Sequence, residues 1–186
     1  MEKEVEKMRD YVKYAGVLFA ITLVTALLLG VVNLFTAPVI EQNTAEKLTV
    51  AAEKVVEGKI DFDTATSHVV DEESSVREIN SYQNDEGNTV YVVKSVPSGY
   101  AGDIEMMIGF TSEGLVTDIE IISMSETPGL GENAKGNKNW LSQFLGEGAE
   151  ELDGITGATI TSKAVKKGVD DARAQVMLIA GGGDVE

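Results

Sequence analysis

The sequence predicts an α+β protein: one N-terminal transmembrane helix, followed by one extracytoplasmic domain in which helices pack on an antiparallel sheet. Three observations carry this expectation. Tyr14 to Ile40 contains no charged residue, four β-rich segments between Ser75 and Met124 are joined by glycine-bearing turns, and apolar residues near the C-terminus recur at helical spacing.

The uncharged run has its centre in AGVLFAITLVTALLLGVVNLFTA, Ala15 to Ala37. At about 1.5 Å per residue a helix of this length crosses a hydrocarbon core of roughly 30 Å. It exceeds the core of a secretory signal, about 7–15 residues, and it continues through Thr36, Ala37 and Pro38 without a small-residue cleavage pattern, so a retained anchor is expected. Lys3, Lys7, Arg9 and Lys13 precede the run and no Lys or Arg follows until Lys47. The positive-inside bias therefore places residues 1–13 in the cytoplasm as a short arm, 14–40 in the cell membrane, and 41–186 outside.

Glu2, Glu4, Glu6 and Asp10 offset the basic residues of the arm, so the formal charge of −16 belongs entirely to the exported part of the chain. Such a field repels nucleic acid and favours cationic partners by steering, or it serves only to keep an external domain soluble. The chain has no cysteine, which removes disulfides, thiolate catalysis and cysteine-ligated metal centres. His68, the one histidine, lies in the polar stretch DTATSHVVDEE and reads as a solvated loop residue. No metal site and no acid–base or nucleophilic catalytic group is expected.

After the anchor, Leu48, Ala51, Ala52, Val55 and Val56 keep helical spacing, and Gly58 offers a stop, predicting an amphipathic stalk or the first helix of the outer domain. Thr64 to Ser75 is polar and reads as loop. SVREINSYQ, NTVYVVKSV, DIEMMIGFT and LVTDIEIISM then predict four strands, with Gly87, Gly99, Gly102 and Gly114 in the turns free to adopt positive φ. A long loop, SETPGLGENAKGNKN, leads to WLSQFL, where Trp140, Leu141, Phe144 and Leu145 fit a short helix. The last helix is expected from about Thr161, with Val165, Val169, Ala172, Val176 and Ile179 on one face and a glycine run as its stop.

The stretch DGITGATITSK, Asp153 to Lys163, enters that last helix with three threonines, a serine and two glycines. A helix N-terminus presents free N–H groups and a positive dipole end, a ready anion site for phosphate. Gly157 and Ala158 admit a close approach to the backbone, and the hydroxyls of Thr156, Thr159, Thr161 and Ser162 can hold phosphate oxygens. The same residues also permit a plain cap by Thr161 or Ser162.

Asp153-x-x-Thr156-Gly157-Ala158-Thr159 resembles the flavinylation motif of the FMN-binding domain family shared by the G subunit of Rnf complexes and the C subunit of sodium-translocating NADH:quinone reductase. The glycine-rich hairpin from Gly99 through Gly114, the ETPGLG loop, the NWLSQF segment and the single N-terminal span extend the resemblance over essentially the whole chain. Thr156 stands where many relatives have serine, which keeps the hydroxyl. The resemblance implies covalent FMN on Thr159 through a phosphoester, with Asp153 in the recognition motif of a dedicated flavin transferase. It further implies that Glu126, Thr127, Pro128, Gly129, Leu130 and Gly131 lie beside the flavin ring. The implied role is an electron-transfer subunit of a membrane complex that couples ferredoxin oxidation to sodium or proton movement, with other Rnf subunits as partners and NAD, a quinone-like carrier or a cytochrome as the ultimate acceptor; the acidic balance would suit a basic external cytochrome or a high-salt setting.

Three rival readings stand beside this one. GLGENA, Gly129 to Ala134, formally fits a dinucleotide fingerprint, but no apolar helix or second βαβ unit comes after it. A non-redox scaffold that tethers a membrane complex would need no phosphate site and would tolerate Thr159→Ala. A secreted hydrolase lacks a general base near a nucleophile.

Overall fold

The computed structural model describes residues 2–71, 73–148 and 153–181. The chain divides into two units, Met1–Glu46 and Lys47–Glu186.

Helix α1 spans Glu2–Val55. Within it, Lys13–Ala37 is long and apolar enough to cross a membrane, and its large side chains, such as Leu18, Phe19, Leu28 and Phe35, are exposed. The hydroxyls in this run bond to their own helix: Thr22 donates to Leu18 O at 3.0 Å, Thr25 to Ile21 O at 2.8 Å and Thr36 to Val32 O at 2.7 Å. Internal satisfaction of this kind is what a hydrocarbon environment demands of a polar group.

The second unit begins with the last turns of α1, where Ala51, Ala52 and Val55 are buried. The helix expected before Gly58 is the end of α1, and Gly58 follows at φ +84°. Five strands come next: β1 (Ile60–His68), β2 (Val76–Asn84), β3 (Thr89–Ser95), β4 (Ile104–Thr111) and β5 (Val116–Met124). They pair antiparallel in sequence order as a meander. Four match the expected segments.

Strand β1 corrects the loop expected over Thr64 to Ser75 as far as His68; the described residues beyond it, up to Ser75, belong to neither strand nor helix. None of the β1 residues is buried, so no apolar alternation marks the strand, and backbone pairing with β2 holds it at the sheet edge. Its register slips between Asp61 and Thr66, where Gln83 N donates to Thr64 Oγ1 at 3.0 Å in place of a ladder bond. A bulged, acidic edge resists pairing with other chains. His68 is likewise not a loop residue: it ends β1, half-buried, with Nε2 2.9 Å from Ser81 Oγ and its ring 6.0 Å from that of Tyr91.

Both faces of the sheet are covered. On one, Tyr91, Val93, Met106, Ile108 and Phe110 pack with Trp140, Phe144 and the Val165, Val169 and Val176 face of the last helix. On the other, Val90, Val92 and Met107 meet Ala51, Ala52 and Val55 of α1. Strand β3 therefore alternates between two cores, giving three layers. Gly109 makes the second contact possible, because a Cβ there would collide with the carbonyl of Val55, which also accepts from Thr117 Oγ1.

Gly87 and Gly114 adopt positive φ as expected. Gly99 and Gly102 do not, and Gly99 is needed for space instead, since its Cβ would meet the carboxylate of Glu126. The long loop contains a 3-10 turn at Gly131–Ala134. Helix α2 (Lys138–Leu141) and a 3-10 turn (Ser142–Phe144) bury Trp140, Leu141 and Phe144, whereas Leu145 lies beyond them and is exposed. Helix α3 (Thr159–Ala180) starts two residues before the expected Thr161.

The start of β2 is tied to α3 by a polar cluster. Asp171 Oδ2 accepts from Ser75 N at 2.9 Å, Ser75 Oγ at 2.7 Å and Lys167 Nζ at 2.5 Å. Burial acts to raise the Asp171 pKa, but these donors outweigh it and hold the carboxyl below the ordinary carboxylate value.

Candidate functional site

The first turn of α3 carries no side-chain cap. Ala158 stands at the cap position, where it offers no acceptor to the free N–H groups. Neither Thr161 nor Ser162 fills that role, which corrects the plain-cap alternative. Both are buried: Thr161 Oγ1 donates to Glu126 Oε2 at 3.1 Å, and Ser162 Oγ accepts from Ile155 N at 3.0 Å.

Gly157, at φ +78°, turns the chain into the helix, and a Cβ on it would stand 2.9 Å from Leu130 Cδ2. Glycine there satisfies both the left-handed backbone and the close approach of the ETPGLG loop. The segment leading in is anchored from α2. Trp140 Nε1 donates to Asp153 O at 2.8 Å, and Asp153 N donates to Gln143 Oε1 at 3.0 Å.

Between the loop and the helix start lies a cleft of about 490 Å³, lined by Glu126, Thr127, Leu130, Gly131, Gly157, Ala158, Thr159 and Thr161 together with Tyr100 and Ile160. Residues of two segments well separated in sequence, ETPGLG and TGAT, thus line one site. Thr159 is exposed at the helix mouth and lines the cleft. The cleft falls in the size range of small-molecule sites, about 300–1,000 Å³.

Other expected site residues stand elsewhere. Pro128, Gly129, Asp153, Thr156 and Ser162 do not line the cleft. Asp153 and Thr156 are exposed, and Ser162 shapes the turn from beneath through Ile155. Tyr100 and Ile160 went unanticipated. Ile160, 54% exposed, is out of phase with the Val165–Val169 face, a signal available in the sequence. Tyr100, 69% exposed on the β3–β4 connection, reaches the cleft because Glu126 Oε1 accepts from its main-chain N at 2.8 Å.

Glu126 is the floor of this arrangement. It is 7% exposed, and its two oxygens join the β3–β4 connection to α3. Gly131 provides the room, as a Cβ there would lie 2.7 Å from Thr161 Oγ1 and 2.8 Å from Glu126 Oε2.

Known families and proteins resemble this chain over most of its length. Residues 99–174 match the FMN-binding domain family, and residues 1–53 match the RnfG N-terminal region family. The G subunit of the Na(+)-translocating ferredoxin:NAD(+) oxidoreductase complex of Acetobacterium woodii is 36% identical over 85% of this chain and 87% of its own. The G subunit of the proton-translocating ferredoxin:NAD(+) oxidoreductase complex of Clostridium ljungdahlii is 41% identical over 54% of this chain and 62% of its own. Among solved structures, NqrC of Shewanella oneidensis overlaps 66% of this chain and 71% of its own, with a TM-score of 0.49 at 15% identity. On the sequence relationship to these proteins, the chain belongs to the G-subunit family of Rnf-type ion-translocating oxidoreductase complexes, and it carries that family's FMN-binding domain.

Proposed function

We propose that this chain is the flavin-carrying electron-transfer subunit of an Rnf-type complex, and that Thr159 Oγ1 bears FMN through a phosphoester. The observation that carries the proposal is the exposed Thr159 hydroxyl, at an uncapped helix N-terminus, on the wall of a cleft shared with the ETPGLG loop.

The residues present fit the group. The first-turn N–H groups of α3 lack a side-chain acceptor, and the dipole favours a dianion there. Ala158 and Gly157 keep the phosphate end free of bulk. Leu130, Ile160 and Tyr100 give the rest of the cleft an apolar, aromatic lining suited to a planar ring. FMN supplies reversible uptake and release of electrons, and the chain holds, orients and shields it. Thr159 makes loss of the group a chemical step rather than a dissociation, and Glu126 fixes the walls. Asp153 and Thr156, exposed on the approach to the helix, serve recognition by a flavin transferase rather than contact with the ring.

In this reading residues 1–13 form a cytoplasmic arm, 14–40 a membrane anchor, and 41–186 an extracytoplasmic FMN-binding domain. Held on Thr159, FMN would supply one- and two-electron chemistry between a membrane-embedded neighbour and another carrier, for which an external cytochrome would suit the acidic surface. The complex couples ferredoxin oxidation to movement of sodium or protons across the membrane.

The test is made on full-length protein from a host that has the transferase. The denatured wild-type band should fluoresce under ultraviolet light, and Thr159→Ala should be dark. A dark wild-type band would favour the scaffold reading, and a fluorescent mutant band would move the acceptor to another hydroxyl.

A further inference from the structure

We infer that Glu126 is a positioning residue that sets the electron affinity of the group held in the cleft, through a buried negative charge placed where three chain segments meet. The inference rests on the FMN reading above and concerns how the chain tunes that group.

Three observations support it. Glu126 is buried, and both carboxylate oxygens already accept hydrogen bonds, from Tyr100 N at 2.8 Å and from Thr161 Oγ1 at 3.1 Å. The chain keeps glycine at both flanking positions, Gly99 and Gly131, where any side chain would strike this carboxylate. Among the described residues, no Lys or Arg forms an ion pair with it.

An unpaired buried carboxylate costs desolvation energy, so a merely structural tie between Tyr100 and Thr161 would be made more cheaply by a neutral amide. The charge has an effect that an amide lacks. Buried in the lining of the cleft, it is screened less than a surface charge, and it opposes the addition of electrons to a group held there. The α3 N-terminus acts in the opposite sense at the phosphate end of the same cleft. The ring is thereby held at a lower reduction potential than the helix dipole alone would leave it.

Glu126→Gln separates charge from shape. The Gln oxygen can accept from Tyr100 N, and its amide can donate to Thr161 Oγ1, since a hydroxyl both donates and accepts. Spectroelectrochemical titration of the detergent-solubilised, flavinylated full chain reads the result. In E126Q, flavin should remain covalently attached and the reduced-to-oxidised ratio at fixed potential should rise at least tenfold, an upward shift of about 30 mV for a two-electron couple. Thr161→Val, which breaks one bond but keeps the charge, should shift it less. A fully flavinylated E126Q with an unchanged potential overturns the inference. Should E126Q not yield flavinylated protein, Gly131→Ala decides: its Cβ displaces the carboxylate, so a changed potential supports the inference and an unchanged one overturns it. A wild-type chain without flavin instead overturns the parent reading, and this one with it.

Discussion

The indole N–H of Trp140 donates to the main-chain carbonyl of Asp153 at 2.8 Å, so α2 holds the beginning of the segment that ends at Thr159. The ring also stands edge-on to Phe144, with centroids 5.3 Å apart, inside the main core. The segment that leads to Thr159 is thus held by a residue outside the cleft. In Trp140→Phe the aromatic packing is largely kept and the hydrogen bond is lost. Urea unfolding should show a loss of about 1–2 kcal/mol, and the flavinylated fraction, read by in-gel fluorescence, should fall.

Thr161→Val removes a buried donor and leaves Glu126 Oε2 without one. An unsatisfied buried acceptor of this kind costs about 2 kcal/mol. Thr161→Ser keeps the hydroxyl, and its urea midpoint should lie closer to wild type than that of the valine variant. Equal midpoints for the two variants would show that the bond contributes nothing.

Two glycines permit helix-to-sheet contact, and they should differ in cost. At Gly168 an added Cβ meets the flexible end of Met106, along with Pro97 Cγ and Ser95 Oγ at 2.9 Å. Gly168→Ala also gains about 1 kcal/mol of helix propensity, so it should destabilise by only about 1–2 kcal/mol net. At Gly109 the obstruction is backbone, the carbonyl of Val55, which cannot rotate away. Gly109→Ala should therefore be the more damaging substitution, and paired thermal melts would rank them.

Asp171 makes stability depend on pH. Burial raises its pKa, but the bonds from Lys167 and Ser75 prevail and the folded value lies below the ordinary one. A depressed carboxyl contributes stability that is present above its unfolded pKa and is lost as pH falls through the folded one. Below the ordinary carboxylate range, wild-type stability should decline, and part of that decline should be absent in Asp171→Asn. The variant should be less stable than wild type at neutral pH, where the ionised group makes its bonds. Urea midpoints measured from about pH 7 down to about pH 3 would check both statements.

Much of the architecture was legible because local patterns and final environment coincide. The β2 to β5 segments alternate or run apolar between glycine turns, the Val165, Val169, Ala172 and Val176 stripe faces the core, and the uncharged span is written in consecutive residues. Strand β1 was illegible for the converse reason: its residues face solvent, and the partner that makes it a strand is the backbone of β2. Hydrophobic period cannot report on a bond between main chains.

The same division holds at the site. TGAT and ETPGLG are readable as motifs, since hydroxyls, glycines and an approaching helix lie within a few residues of one another. Their meeting across one cleft is a long-range event, as are the burial of Thr161 and Ser162, the entry of Tyr100 and the anchoring of Asp153 by Trp140. The membrane-length helix, the segments of β2 to β5 and the hydroxyl-rich run that enters α3 were set down in the amino-acid order, because each follows from chemistry within a short window. That Glu126 is a buried tie beneath the cleft emerged with the folded chain alone, because burial and hydrogen-bond partners depend on segments that folding brings together.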